Sequence, residues 1–234
     1  MAGFGKALEK LSSLVARKFM EILSDDEFMH DLKHMQEMRF SIWHTIEEEF
    51  MELSFMKDLH GVVRYYPNET YPSVYAAYSF TPGDRLATGR IDLHLDLPEH
   101  YDYNFINAEI KGAIRHELEH AMQDEKILVD LAAKVTAQDG YVWHDLDNAR
   151  EYYTSEAETK AHVVGLYKRA KMQKKPFINE LEEFLNDQFH TALMFDHSEE
   201  EASKLLNRVS ELWLYYADYR YPNSLTRPED YVEA

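Results

Sequence analysis

Along the first fifty-odd residues, Leu8, Leu11, Leu14, Val15, Phe19 and Ile22 recur at steps of three and four, the spacing of one buried helical face. Ser24-Asp25-Asp26 interrupts the pattern and supplies a candidate N-cap followed by acids, as a helix start prefers. A second helix is predicted from there through Phe28, Leu32, Met35, Met38, Ile42, Ile46, Phe50 and Leu53. Its methionines and aromatics read as core surface. Between about 60 and 97 the period changes. Val62-Val63-Arg64-Tyr65-Tyr66 runs into the turn signal Pro67-Asn68, and Val74 to Phe80 is rich in strand formers and ends at Pro82-Gly83-Asp84. Ile91-Asp92-Leu93-His94-Leu95-Asp96-Leu97 alternates apolar and polar with period two, the clearest strand in the chain.

After Tyr103 the pattern is helical again. Helices are predicted over Phe105–Lys126, Asp147–Met172, 177–190 and 198–217, with Pro222 and Pro228 marking a loose tail. The expected fold is therefore α+β and mostly helical, with a small antiparallel sheet of about three strands. A single domain spanning 1–234 is the simplest organisation. It comprises N-terminal helices (1–55), the sheet (60–97), central helices (103–175), and C-terminal helices with the tail (176–234).

Composition narrows the function. A formal net charge of −18 over 234 residues opposes binding to nucleic-acid phosphates. The basic run from Lys168 to Lys175 reads as a helix end, where cations complement the dipole. With no cysteine, any metal must be held by nitrogen and oxygen. Charges begin at Lys6, too early for a signal-peptide core, and no apolar run is long enough to span a bilayer. The expectation is a soluble protein without membrane or nucleic-acid partners, staying in the cytoplasm where it is made.

The segment Arg115-His116-Glu117-Leu118-Glu119-His120 contains His-Glu-x-x-His. On a helix, positions i and i+4 share a face, so His116 and His120 can point at one ion while Glu117 lies beside them. Zinc so held makes a bound water acidic near neutral pH, and Glu117 is placed to accept its proton as general base. Ile106, Ile110, Ala113, Ile114, Leu118, Ala121 and Met122 give this helix one apolar face, and the strand 91–97 comes directly before it. Zinc peptidases place there the edge strand that pairs with substrate backbone. A catalytic zinc usually takes three protein ligands plus water. Glu158 is the preferred third, because it shares a helical face with Ala161, His162 and Gly165, whose small members permit close approach; Glu156, about 200 degrees away, is the alternative.

His116-Glu117-x-x-His120, followed about 38 residues later by the helical Glu158-x-x-Ala161, resembles the glutamate-zincin metallopeptidases, above all their short bacterial and phage members. The resemblance covers roughly residues 85–175. It implies a zincin-like fold, one zinc ion, a zinc-bound water, and peptide-bond hydrolysis with a protein or peptide as substrate. Two positions depart from the family: the charged Glu119 before the second histidine, and His162 where an acid often orients a zinc histidine. Tyr152, Tyr153, His144 and His162 are candidates for steadying the oxyanion or orienting a ligand, although buried tyrosines more often serve packing. His94 and the pair His30/His34 read as surface residues, and Glu47–Glu49 and Glu199–Glu201 as solvated faces or helix starts. The alternative is a noncatalytic zincin-like binding or assembly protein, virion-associated if phage-encoded, whose long flanking helices serve partner contacts.

Overall fold

The computed structural model describes residues 2–44, 46, 57–136 and 142–222. Its described elements are α1 (Ala2–Leu23), α2 (Asp26–Met35), β1 (Glu37–Ser41), β2 (Asp58–Tyr65), β3 (Ser73–Ser79), the single turn α3 (Arg85–Thr88), β4 (Arg90–Leu97) and α4 (Tyr103–His120). They continue with α5 (Glu125–Thr136), a 3-10 turn (Val142–His144), α6 (Leu146–Thr154), α7 (Glu156–Gln173), α8 (Phe177–Met194) and α9 (Glu199–Arg220). The fold is α+β and mostly helical. The chain divides into two compact units, Met1–Met122 and Gln123–Ala234. Among the described residues no helix is long and apolar enough to cross a membrane.

In the first unit α1 buries Leu8, Leu11, Leu14, Val15 and Phe19 along one stripe, as the spacing predicts, while at its end Leu23 is fully buried and Ile22 only partly. Asp25 caps α2 by accepting from the Phe28 amide at 2.9 Å. The predicted second helix is corrected beyond that point. It ends at Met35, because Gln36 turns left-handed (φ 64°) and donates its amide to the Leu32 carbonyl, and β1 follows. Residue 45 and residues 47–56, including Glu47–Glu49, lie outside the described residues.

The sheet has four strands in the order β1-β2-β4-β3. It is mixed, where about three antiparallel strands were expected: β1 and β3 pair antiparallel with their neighbours, while β2 and β4 run parallel. Ile91, Leu93, Leu95 and Leu97 are fully buried, which suits the interior position β4 holds between β2 and β3. The expected edge position therefore passes from the 91–97 strand to β3, whose half-exposed alternation fits a terminal strand. On β2, Gly61 is required by packing: a Cβ there would stand 2.6 Å from the Phe40 ring and 2.7 Å from that of Phe19. Beneath the sheet, α4 contributes Ile106, Ile110, Ile114 and Leu118 to the same core. The predicted Phe105–Lys126 helix stops at His120, and α5 opens after Asp124, whose carboxylate accepts from the Lys126 amide at 2.8 Å.

The second unit has its own core of Trp143, Val163, Leu166, Phe177, Leu181, Leu205, Val209 and Trp213. The helix predicted over Asp147–Met172 is two helices divided at Ser155, which ends α6 and caps α7 by accepting from the Glu158 amide at 3.2 Å. Buried Glu180 on α8 pairs with Arg169 of α7 and with Lys175. Glu199–Glu201 form the first turn of α9, where Ser198 and Glu201 make a reciprocal capping box. The tail beyond 222 lies outside the described residues.

Candidate metal site

The histidine helix is set by its two ends. At its start Asp102 accepts from the amides of Asn104 and Phe105, at 2.7 and 3.4 Å, satisfying donors that a helix cannot pair internally. At its finish the Ala121 amide returns to the Glu117 carbonyl at 2.9 Å, and the Arg85 guanidinium donates to the Ala121 carbonyl. Between these, the i,i+4 geometry brings Nε2 of His116 and Nε2 of His120 to 3.0 Å, with the rings edge to face. Zinc binds imidazole nitrogen at about 2.0–2.1 Å, so two tetrahedral ligands stand roughly 3.3 Å apart. The two rings are in hydrogen-bonding contact, slightly closer than two ligands of one ion would stand, so a small parting of the rings would let them fit the ion that the sequence pattern implies.

Glu117 is largely buried, with Oε1 3.8 Å from His116 Nε2. Oε2 accepts the main-chain amide of Tyr78, on the edge strand, at 2.7 Å. That distance is at the short end of the range for an amide donor. Glu119 takes a different direction. Its carboxylate accepts from buried Arg115 at 2.9 Å, and Arg115 also lies 3.5 Å from Glu9 on α1. The Glu119 charge is thus neutralised on the α1 side of the helix.

In the second unit Glu158 is buried in the first turn of α7, where the helix dipole favours a carboxylate. His162 lies one turn on, with Nε2 3.3 Å from Glu158 Oε2, and its ring stacks on Trp213 at 4.7 Å. Ala161 and Gly165 are buried on the same helix. Glu156 faces solvent and pairs with Lys160.

The remaining candidates have packing roles in view. The Tyr153 hydroxyl donates to Gln188 Oε1 at 2.6 Å, a group that also accepts from the Trp143 indole, and burial raises the phenol's pKa above its ordinary value. Tyr152 packs edge to face on Tyr153, and His144 on Phe195. His94 stacks flat on Tyr75 on the polar side of the sheet. The His30 and His34 rings touch edge to face on α2. Three residues beside the histidines carry no motif in the sequence: Tyr78, acting through its amide, Arg85 and Arg115. Only the buried arginine had a readable signal, a cation at i−4 from Glu119.

A scan of protein-family models, a search of characterised proteins and a search of solved structures each found no match.

Proposed function

We propose that the protein is a zinc-dependent metallopeptidase, with one zinc ion held by His116, His120 and Glu158, and with Glu117 as general base. The observation that carries this reading is the 3.0 Å approach of the two imidazole Nε2 atoms on one helix turn, with the Glu117 carboxylate beside them. The donors are nitrogen and oxygen, as a chain without cysteine requires. When bound, zinc polarises a carbonyl and makes water acidic near neutral pH.

The chain's own residues supply the rest. Glu117 takes a proton from the attacking water and passes it to the departing amide nitrogen; Oε1, on the His116 side, is the oxygen suited to that exchange. Burial keeps this carboxylate from bulk solvent, so its charge acts at short range with little screening. Glu158 is supported as third ligand by its place after the histidine pair and by its buried first-turn position; Glu156, exposed and paired with Lys160, has less support. The substrate class proposed is protein or peptide.

Elemental mass spectrometry on protein purified without chelator or affinity metal tests the reading, beside cleavage of fluorescently labelled casein. Near-stoichiometric zinc is expected in the parent and in Glu117→Gln, with zinc lost from His116→Ala and His120→Ala. Casein cleavage is expected to fall by about 10²–10⁴-fold in Glu117→Gln. A parent that takes up no zinc when supplied with it would overturn the proposal. The hydrogen bond from Tyr78 to Glu117 favours one second reading, a noncatalytic zincin-like binding or assembly protein in which that carboxylate is structural. Stoichiometric zinc in a parent that leaves casein intact would favour it.

A further inference from the structure

One residue of the edge strand is tied to the histidine helix twice. The main-chain amide of Tyr78 donates to Oε2 of Glu117 at 2.7 Å. Its hydroxyl accepts from Nε of Arg85 at 3.2 Å, and the same guanidinium donates to the carbonyl of Ala121, the cap that ends α4. His120 lies between the two anchor points. We propose that Tyr78 is a positioning residue for the His-Glu-x-x-His turn: its amide sets the orientation of the Glu117 carboxylate, and its ring, through Arg85, sets the end of the helix.

The role takes its meaning from the metallopeptidase reading, but its geometry stands apart from it. Tyr78 is paired with Ile91 of β4 and spends its amide on Glu117. A main-chain donor in a paired strand has no rotamers, so it fixes an acceptor more closely than a side-chain donor does. A glutamate carboxylate turns freely about its last bond until one oxygen is held. With Oε2 pinned by Tyr78, the other oxygen lies 3.8 Å from His116 Nε2.

The second tie acts at the helix end. The last carbonyls of a helix have no partner within it, and a cation there also meets the negative end of the dipole. Arg85 provides both, held in place by its position over the rings of Tyr78 and Phe80, 5.8 Å from each centroid. Strand and helix are thereby registered one turn apart, on either side of the second histidine.

The test uses the full chain, zinc-loaded. Replacing Tyr78 by its α-hydroxy acid removes the N–H and keeps the side chain; Tyr78→Phe removes the hydroxyl alone. For labelled casein, the ester variant is expected to lose about 10- to 100-fold in kcat, with KM within about twofold and zinc content unchanged. Amide hydrogen exchange at Tyr78 is expected to be about tenfold faster in Glu117→Ala than in the parent. Unchanged exchange in Glu117→Ala, or an ester variant with the parent's kcat, would overturn the proposal. The exchange arm needs no turnover. A parent without casein cleavage therefore defeats the enzyme reading by itself, and the Tyr78 exchange rate still decides whether Tyr78 holds Glu117. Should the ester fail to fold, Arg85→Lys, expected to keep most of kcat, is compared with Arg85→Gln, expected to lose it. Equal kcat in the two would count against the helix-end tie.

Discussion

Arg115 stands beside the first histidine yet belongs to the core. It is 2% exposed, and its charge is met by Glu119 at 2.9 Å and Glu9 at 3.5 Å. Removing one partner of a buried pair strands the other charge, whereas replacing both by apolar groups of similar volume is often neutral. Arg115→Met should therefore cost about 3 kcal/mol of stability. Arg115→Met with Glu119→Leu should recover most of it, both read from urea unfolding. Equal losses in the single and double variants would show that packing, not charge, is what Arg115 provides. Glu158 and Glu156 offer a second contrast two residues apart. Glu158→Gln should lose zinc by elemental analysis, and Glu156→Gln should retain it. His94 gives a pH dependence. Burial, and then the charge of Arg64, lowers its pKa below the ordinary 6.5. The unfolded chain then binds a proton that the folded chain resists, so this contribution to stability is present above pH 6.5 and is lost as pH falls from there through the lower pKa of the folded state. Urea midpoints at pH 7 and pH 5 should converge in His94→Gln relative to the parent.

Among the elements, those with one dominant period were legible in the sequence. The alternation of Ile91 to Leu97 became β4, and the stripe from Leu8 to Phe19 became α1. The two histidines on one face of α4 follow from helix geometry alone. β1 was hidden because Met35, Met38 and Ile42 continue a helical spacing from Phe28 and Leu32. The turn between helix and strand is made by Gln36 in a left-handed conformation, without the glycine or asparagine that usually announces it. The break at Ser155 did carry a signal, Ser155-x-x-Glu158, the spacing of a capped helix start. Strand order was not legible: period-two alternation reports which face is buried, and says nothing of which strand lies beside which. The Tyr78 contact was invisible for another reason, since an amide belongs to every residue type but proline. Gly61 gives the element-scale prediction. Gly61→Ala forces a methyl against the Phe40 and Phe19 rings and should cost about 1–3 kcal/mol, with Gly61→Val worse. Chemical denaturation measures both, and an unchanged midpoint for Gly61→Ala would mean the rings move aside freely.

At the scale of the molecule, each compact unit has its own buried core. The second is built from helices joined by short connections around Trp143 and Trp213, with the Glu180 ion pairs inside it. A fragment spanning residues 123–234 is therefore expected to fold alone, showing helical circular dichroism and a cooperative urea transition reported by its two tryptophans. A fragment that stays unfolded would show that this core needs the rest of the chain. The first unit follows a different logic of assembly. α1 shares its core with α4, and about eighty residues separate the end of one from the start of the other. At about 5–20 residues per second, the ribosome takes roughly 4–16 seconds to deliver the second helix after the first. Through that interval Leu11, Val15 and Phe19 have no completed core to enter. The nascent chain thus carries an exposed apolar stripe for seconds, a natural target for chaperones that attend proteins during synthesis.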